Sequence, residues 1–114
     1  MPVILGHGGK AVKATFLLDT GCTGLLLHPN VAMMINPRRV GTGKSIIANG
    51  QEVPTDFCVI DFIQVGPFVE RNLEVSTHHV QHLDKHDYHG LLGMAFLKKH
   101  PFQIDLERRV IRWL

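Results

Sequence analysis

Apolar and polar residues alternate along much of the chain, and the alternation predicts strands. From Val12 to Leu18 the apolar residues Val12, Ala14, Phe16 and Leu18 share one face while Lys13 and Thr15 take the other, the period of a half-buried strand. "GHGG", Gly6 to Gly9, precedes this run as a turn, so Val3 to Leu5 and Lys10 to Leu18 form a predicted hairpin. The end of the run, "FLL", is apolar on both faces, as expected where a strand enters the interior. At that point "TFLLDTGCTGLLL" sets a single carboxylate, Asp19, between two apolar stretches. An ionised carboxylate removed from water is costly unless it is paired or hydrogen-bonded.

Beyond this point Leu25 to Leu27 reads as a short buried strand and "HPNVAMMI" as one or two helical turns opened by a proline. "NPRRVGTGK" reads as loop. Ser45 to Ala48 and Gln51 to Val53 flank Asn49 and Gly50, a dipeptide suited to the positive φ angles of a hairpin turn. Thr55 to Val65 is the longest β-rich run, closed by Gly66 and Pro67, and Asn72 to Val75 adds a short strand. "GLLGMAFLKKH", Gly90 to His100, reads as a buried strand end running into a short helix that stops before Pro101. Phe102 to Leu106 alternates again, and a turn at Glu107 to Arg109 leads to a final strand ending at Leu114.

Composition narrows the classes. A length of 114 residues predicts one domain, 1–114, with a core of its own and a high surface fraction that association with a second copy would reduce. With 45% hydrophobic and 19% charged residues and no low-complexity tract, the chain is not of the disordered class. A formal charge of +2 predicts no strong attraction to nucleic acid. Two cysteines, Cys22 and Cys58, are too few for a disulfide framework and read as free thiols. The amino-terminal apolar run is too short for a signal-peptide core or a membrane span, so a soluble, cytoplasmic protein is expected, a membrane-anchored parent being the alternative.

"LLDTGCT", followed toward the carboxyl end by "GLLGMAFL", resembles the retropepsins, the single-lobe aspartic proteases, in their bacterial type. In that family an apolar pair precedes Asp-Thr/Ser-Gly, and a hydrophobic-hydrophobic-Gly element lies just before a short carboxyl-terminal helix. Here these are Asp19-Thr20-Gly21 and Leu91-Leu92-Gly93. The resemblance extends over nearly the whole chain and implies an all-β, closed retropepsin-like barrel of one lobe with one short carboxyl-terminal helix. It also implies a flap-like hairpin around Asn49 and Gly50. Cys22 stands where the family usually has Ala or Ser, and the flap carries only Gly41, Gly43 and Gly50 in its neighbourhood.

The resemblance implies peptide hydrolysis by two carboxylates that share one proton. Like charges about 3 Å apart do not both ionise readily, an effect for which aspartic proteases are the general example. The ionised acid takes a proton from a water between them, and the neutral one hydrogen-bonds the scissile carbonyl. By resemblance, Thr20 joins the two active-site loops through its hydroxyl and Gly21 lets its N–H approach the Asp19 carboxylate. No second Asp-Thr/Ser-Gly exists in the chain: Asp56, Asp61, Asp84, Asp87 and Asp105 all lack the following glycine. The second acid is therefore expected from a twofold partner, since an isologous contact sets a residue on the axis against itself. Val3 to Leu5 and Val110 to Leu114 are the expected interface by family analogy. The substrate is a polypeptide, no cofactor is implied, and Leu25, Ile46, Ile47 and Leu92 are candidate apolar walls of its subsites.

A different class remains open beside this one. His78, His79, His82, His86 and His89, with Asp84 and Asp87, crowd one segment, and a retropepsin-like fold that binds a partner or a metal there without cleaving anything is the alternative. No HExxH pattern accompanies the histidines, and a solvated His-rich loop, or a group of imidazoles charging together in mild acid, accounts for them as well. Arginine and lysine pairs are scattered, with one tryptophan and one tyrosine in the chain, which argues against a nucleic-acid groove.

Overall fold

Strand pairing closes the sheet on itself. The computed structural model describes residues 1–46, 49–78 and 88–114. Strand β1 (Pro2–His7) turns at Gly8 and Gly9, both at positive φ (60° and 83°), into β2 (Lys10–Leu18), as the alternation predicted. β3 (Leu25–Leu27), α1 (Pro29–Ile35), β4 (Arg38–Ile46), β5 (Glu52–Val65) and β6 (Phe68–His78) follow. The chain then runs through β7 (Gly90–Leu92) and α2 (Met94–Leu97) to a terminal hairpin, β8 (Phe102–Asp105) and β9 (Val110–Trp113). The seven-stranded sheet has the order β1-β2-β7-β3-β6-β5-β4, and β1 also pairs with β5, so six of the strands make a closed ring with β4 outside it. β8 and β9 form a separate two-stranded sheet.

The barrel interior is filled by the inward positions of that ring. Leu5, Phe16, Leu27, Ile60, Ile63 and Leu92 from the strands, joined by Phe96 of α2, are almost fully removed from water, the main source of stability for a domain this small. Two short helices cover it: α2, the carboxyl-terminal one, and α1 over the "HPNVAMMI" segment. In α1, Val31 and Ile35 face the core one turn apart, His28 Nδ1 accepts the Asn30 N–H at the amino end, and Asn36 ends the helix in a left-handed conformation.

Two segments depart from the sequence reading. "RRVGTGK" is strand, not loop: β4 pairs with β5 from Arg38 to Ile46, with an irregularity between Arg39 and Gly41. Its glycines and charges depress β propensity, but a fourteen-residue β5 offers a ladder that overrides it, and charged residues suit an edge strand. β6 likewise extends well beyond Asn72 to Val75, because its whole length pairs with β5.

Candidate active site

The position of Asp19 follows from one topological step. β7 inserts between β2 and β3, parallel to the first (Leu18 opposite Leu92) and antiparallel to the second (Leu25 opposite Leu92). The residues joining β2 to β3 must therefore wrap around the end of β7, and they are Asp19 to Gly24. Backbone hydrogen bonds fasten this loop on both sides. The Asp19 N–H donates to the Leu92 carbonyl (3.0 Å), the Cys22 N–H to the Asp19 carbonyl (3.1 Å), and the N–H groups of Met94 and Ala95 to the carbonyls of Cys22 (2.7 Å) and Thr23 (2.8 Å).

Within the loop the carboxylate is half-buried, and the Gly21 N–H donates to Asp19 Oδ1 at 2.9 Å. A Cβ on Gly21 would stand 3.2 Å from that same oxygen, tight enough that a side chain there would press on the carboxylate. Among the described residues no Lys, Arg or His forms an ion pair with Asp19. Other carboxylates are committed elsewhere: Asp56 to Arg39 (4.0 Å), Asp61 to His7 (3.2 Å), and Asp105 to Arg108 and Arg112 (both 3.6 Å). The chain thus presents a hydrogen-bonded, partly accessible acid that can take up or release a proton, without a second described acid beside it.

The remaining sequence candidates are dispersed. Thr20 is exposed at the loop surface. Leu25 and Leu92 are cross-strand partners buried beneath the loop, 3% and 0% exposed, so their side chains belong to the core. Ile46 is 74% exposed at the end of β4, and Ile47 lies outside the described residues. At the adjoining turn, Asn49 Oδ1 accepts the Gln51 N–H (2.9 Å), and Gly50 has a φ of 83°. Of the histidine segment, His78 ends β6, and His89 Nδ1 accepts the Thr15 N–H at 3.0 Å. His79, His82, Asp84, His86 and Asp87 lie outside the described residues, among which no three metal-binding side chains converge.

Sequence reasoning named Gly93 as the end of the Leu91-Leu92-Gly93 element but missed Gly90 and the spatial reason for both glycines. A Cβ at Gly90 would strike the Phe16 ring (2.6 Å) and the Leu26 carbonyl; one at Gly93 would overlap the carbonyls of Gly24 and Cys22. The available signal was glycine at both ends of a buried apolar pair, where alanine would otherwise serve.

A family profile described as aspartyl protease matches residues 2–96. The chain belongs to the aspartyl protease family. In fold it is similar to a retropepsin-like aspartic protease from Rickettsia conorii (TM-score 0.64, 18% identity, covering 92% of this chain and 74% of that one). It is also similar to the retroviral protease-like domain of Ddi1 from Leishmania major (TM-score 0.57, 13% identity, 99% and 90% covered). No curated protein matches the sequence significantly. The retropepsin-like, mostly-β barrel implied by the two sequence elements is thus the architecture of this member of the family. No helix among its described residues is long and apolar enough to cross a membrane.

Cys22 stands next to Gly21 in the same loop. Burial pushes its thiol above the ordinary value, the Sγ contact with the Gly24 carbonyl (3.6 Å) opposes this, and the Asp19 charge adds to it. The thiolate is the reactive form, so Cys22 is expected to alkylate several-fold more slowly with iodoacetamide than free cysteine at about pH 7.5. Peptide mapping of the labelled protein over time measures this, and labelling as fast as the free amino acid would contradict it.

Proposed function

We propose that this chain is an endopeptidase that works as a homodimer, each subunit contributing Asp19 to a pair of acids that activates a water. The observation that carries the reading is the Asp19 carboxylate itself. It is held by the Gly21 N–H in a loop buttressed by β7, yet is partly open to solvent and has no second described acid of its own chain beside it. A proton-sharing pair needs two such groups, and a twofold axis beside the loop supplies the second. Exposure of Thr20 in the isolated subunit agrees with a hydroxyl that reaches the partner's loop.

We assign the interface to the terminal hairpin. β1 is engaged by β2 and, over Ile4 to Gly6, by β5 as well, which leaves Ile4 and Leu5 of the expected interface no open edge. Among the described residues β8 and β9 pair only with each other, and their segment exposes Ile104 (54%), Leu106 (83%), Val110 (49%) and Leu114 (74%). Covering such a group of side chains favours association. The substrate lies extended across the Asp19 loops, and the β4–β5 hairpin closes over it as a flap whose strand edges pair with its backbone. Ile46 and Ile47 supply apolar contacts from that hairpin.

The test is hydrolysis of an unfolded protein over a dilution series, with sedimentation of the same samples. Specific activity is expected to fall as the dimer dissociates. An active species that sediments as a monomer would overturn the homodimer, and a stable dimer that cleaves nothing would favour the catalytically silent binding module.

A further inference from the structure

Among the described residues the terminal hairpin has no hydrogen-bond ladder to the barrel, since β8 and β9 form a sheet of their own. A lone two-stranded hairpin is marginal in water, and side chains seat it instead. Trp113 of β9 lies against the β5–β6 turn, where a Cβ on Gly66 would stand 2.9 Å from its Nε1. The ring stands edge-on to Phe68 of β6 (5.3 Å between centroids, 90°) and packs near Phe96 of α2 (6.1 Å, 72°) and Phe102 of β8 (6.3 Å, 70°). His100, between α2 and β8, fills the group. Its imidazole stacks on Phe68 (4.1 Å, 27°) and leans on Phe96 (4.5 Å, 38°), and its Nε2 lies 2.8 Å from Glu70 Oε1. Trp113 thus joins the barrel turn, the hairpin and α2.

α2 needs such support. It has four residues, Gly93 at its amino end offers no side-chain cap, and Phe96 and Leu97 are its buried side chains; a single helical turn does not hold itself together in water. Its first N–H groups, those of Met94 and Ala95, are the ones that donate to the Cys22 and Thr23 carbonyls of the Asp19 loop. We infer that Trp113 is a positioning residue for the Asp19 loop: its ring fixes Phe96, Phe96 fixes α2, and α2 holds the loop at Cys22 and Thr23. Each link is a direct contact between rings or a hydrogen bond. Close packing of Gly93 against the carbonyls of Gly24 and Cys22 leaves α2 no room to shift without the loop. Seating of the hairpin and order in the loop are therefore one event. The inference rests on the reading of Asp19 as the catalyst only for its consequence, that activity depends on the hairpin's seat.

The loop carries its own reporter. Cys22 lies in it, while Cys58, 5% exposed on β5, lies in the barrel wall and reports unfolding of the whole domain. Alkylation by iodoacetamide, read by peptide mapping, is compared for the wild-type chain, Trp113→Leu and Trp113→Phe. All are labelled at a dilution where the wild type sediments as a monomer, so that uncovering of Cys22 by dissociation does not enter. In Trp113→Leu the Cys22 rate is expected to rise by about fivefold, with the Cys58 rate unchanged, because the loop opens locally. Trp113→Phe keeps a ring against Phe96 and is expected to return Cys22 to near the wild-type rate. Equal acceleration of both cysteines, as general destabilisation produces, or no acceleration of Cys22 would overturn the inference. So would a Trp113→Phe protein that labels as fast as Trp113→Leu. Should Trp113→Leu not fold, Phe102→Leu, which removes a ring packed on Trp113, carries the same comparison. Labelling requires no proteolysis, so a chain that cleaves nothing removes the protease reading and leaves Cys22 to decide the role of Trp113.

Discussion

Replacing Asp19 by asparagine is expected to abolish peptide hydrolysis, by about 10³-fold or more, with the fold intact. The asparagine side chain has the same shape, and its amide oxygen can accept the Gly21 N–H that now bonds Oδ1 at 2.9 Å. The backbone bond from the Asp19 N–H to the Leu92 carbonyl is untouched. What disappears is the ability to carry or remove a proton, and in a homodimer it disappears from both sides of the site at once. Cleavage assays of the variant and wild type across about pH 3 to pH 8, paired with thermal melting, measure the two halves of this expectation. An Asp19→Asn protein that cleaves at the wild-type rate would show that the carboxylate is not the catalyst, whereas a folded wild type that cleaves nothing would leave a binding module.

Gly93→Ala is expected to cost about 3 kcal/mol, a large share of a domain's net stability of about 5–15 kcal/mol. Gly93 has a φ of −100° and a ψ of −168°, which any residue can adopt, so the requirement is space and not backbone freedom. An added Cβ would overlap the carbonyl oxygens of Gly24 and Cys22 and lie 2.9 Å from the Cys22 carbonyl carbon. Those atoms are backbone, and the Met94 N–H holds the Cys22 carbonyl at 2.7 Å, so relief requires moving the loop that begins at Asp19. Activity is therefore expected to fall with stability. Gly24→Ala is the control, because nothing lies within 4 Å of a Cβ at that position and the substitution meets open space. Urea denaturation of the three proteins decides the matter: a Gly93→Ala variant as stable as the wild type would mean that loop and β7 are not packed as described.

Much of this architecture is legible in short stretches of the chain. The alternation from Val12 to Leu18 and the glycine pair at Gly8 and Gly9 specify the β1–β2 hairpin, because side-chain period and positive φ are properties of a few adjacent residues. α1 is readable from its proline and its apolar spacing. β4 is not, because Arg38, Arg39, Gly41 and Gly43 are poor strand formers whose extension is imposed by pairing with β5. The bounds of β6 are hidden for the same reason.

For the site, the division is similar. The residues in order already carry the chemistry on offer: one Asp-Thr-Gly, no second copy of it, and an apolar pair ending in glycine ahead of a short helix. The closed barrel adds that β7 threads between β2 and β3, that the Leu92 carbonyl and the Gly21 N–H hold Asp19, and that Gly93 leaves room for that loop. It also makes Leu25 and Leu92 core, and brings Glu70 to His100 across 30 positions of chain. The two kinds of information differ in range. Periodicity and turn chemistry are set by neighbours in sequence, whereas close packing and hydrogen bonds between distant segments exist only once the whole barrel has closed around them.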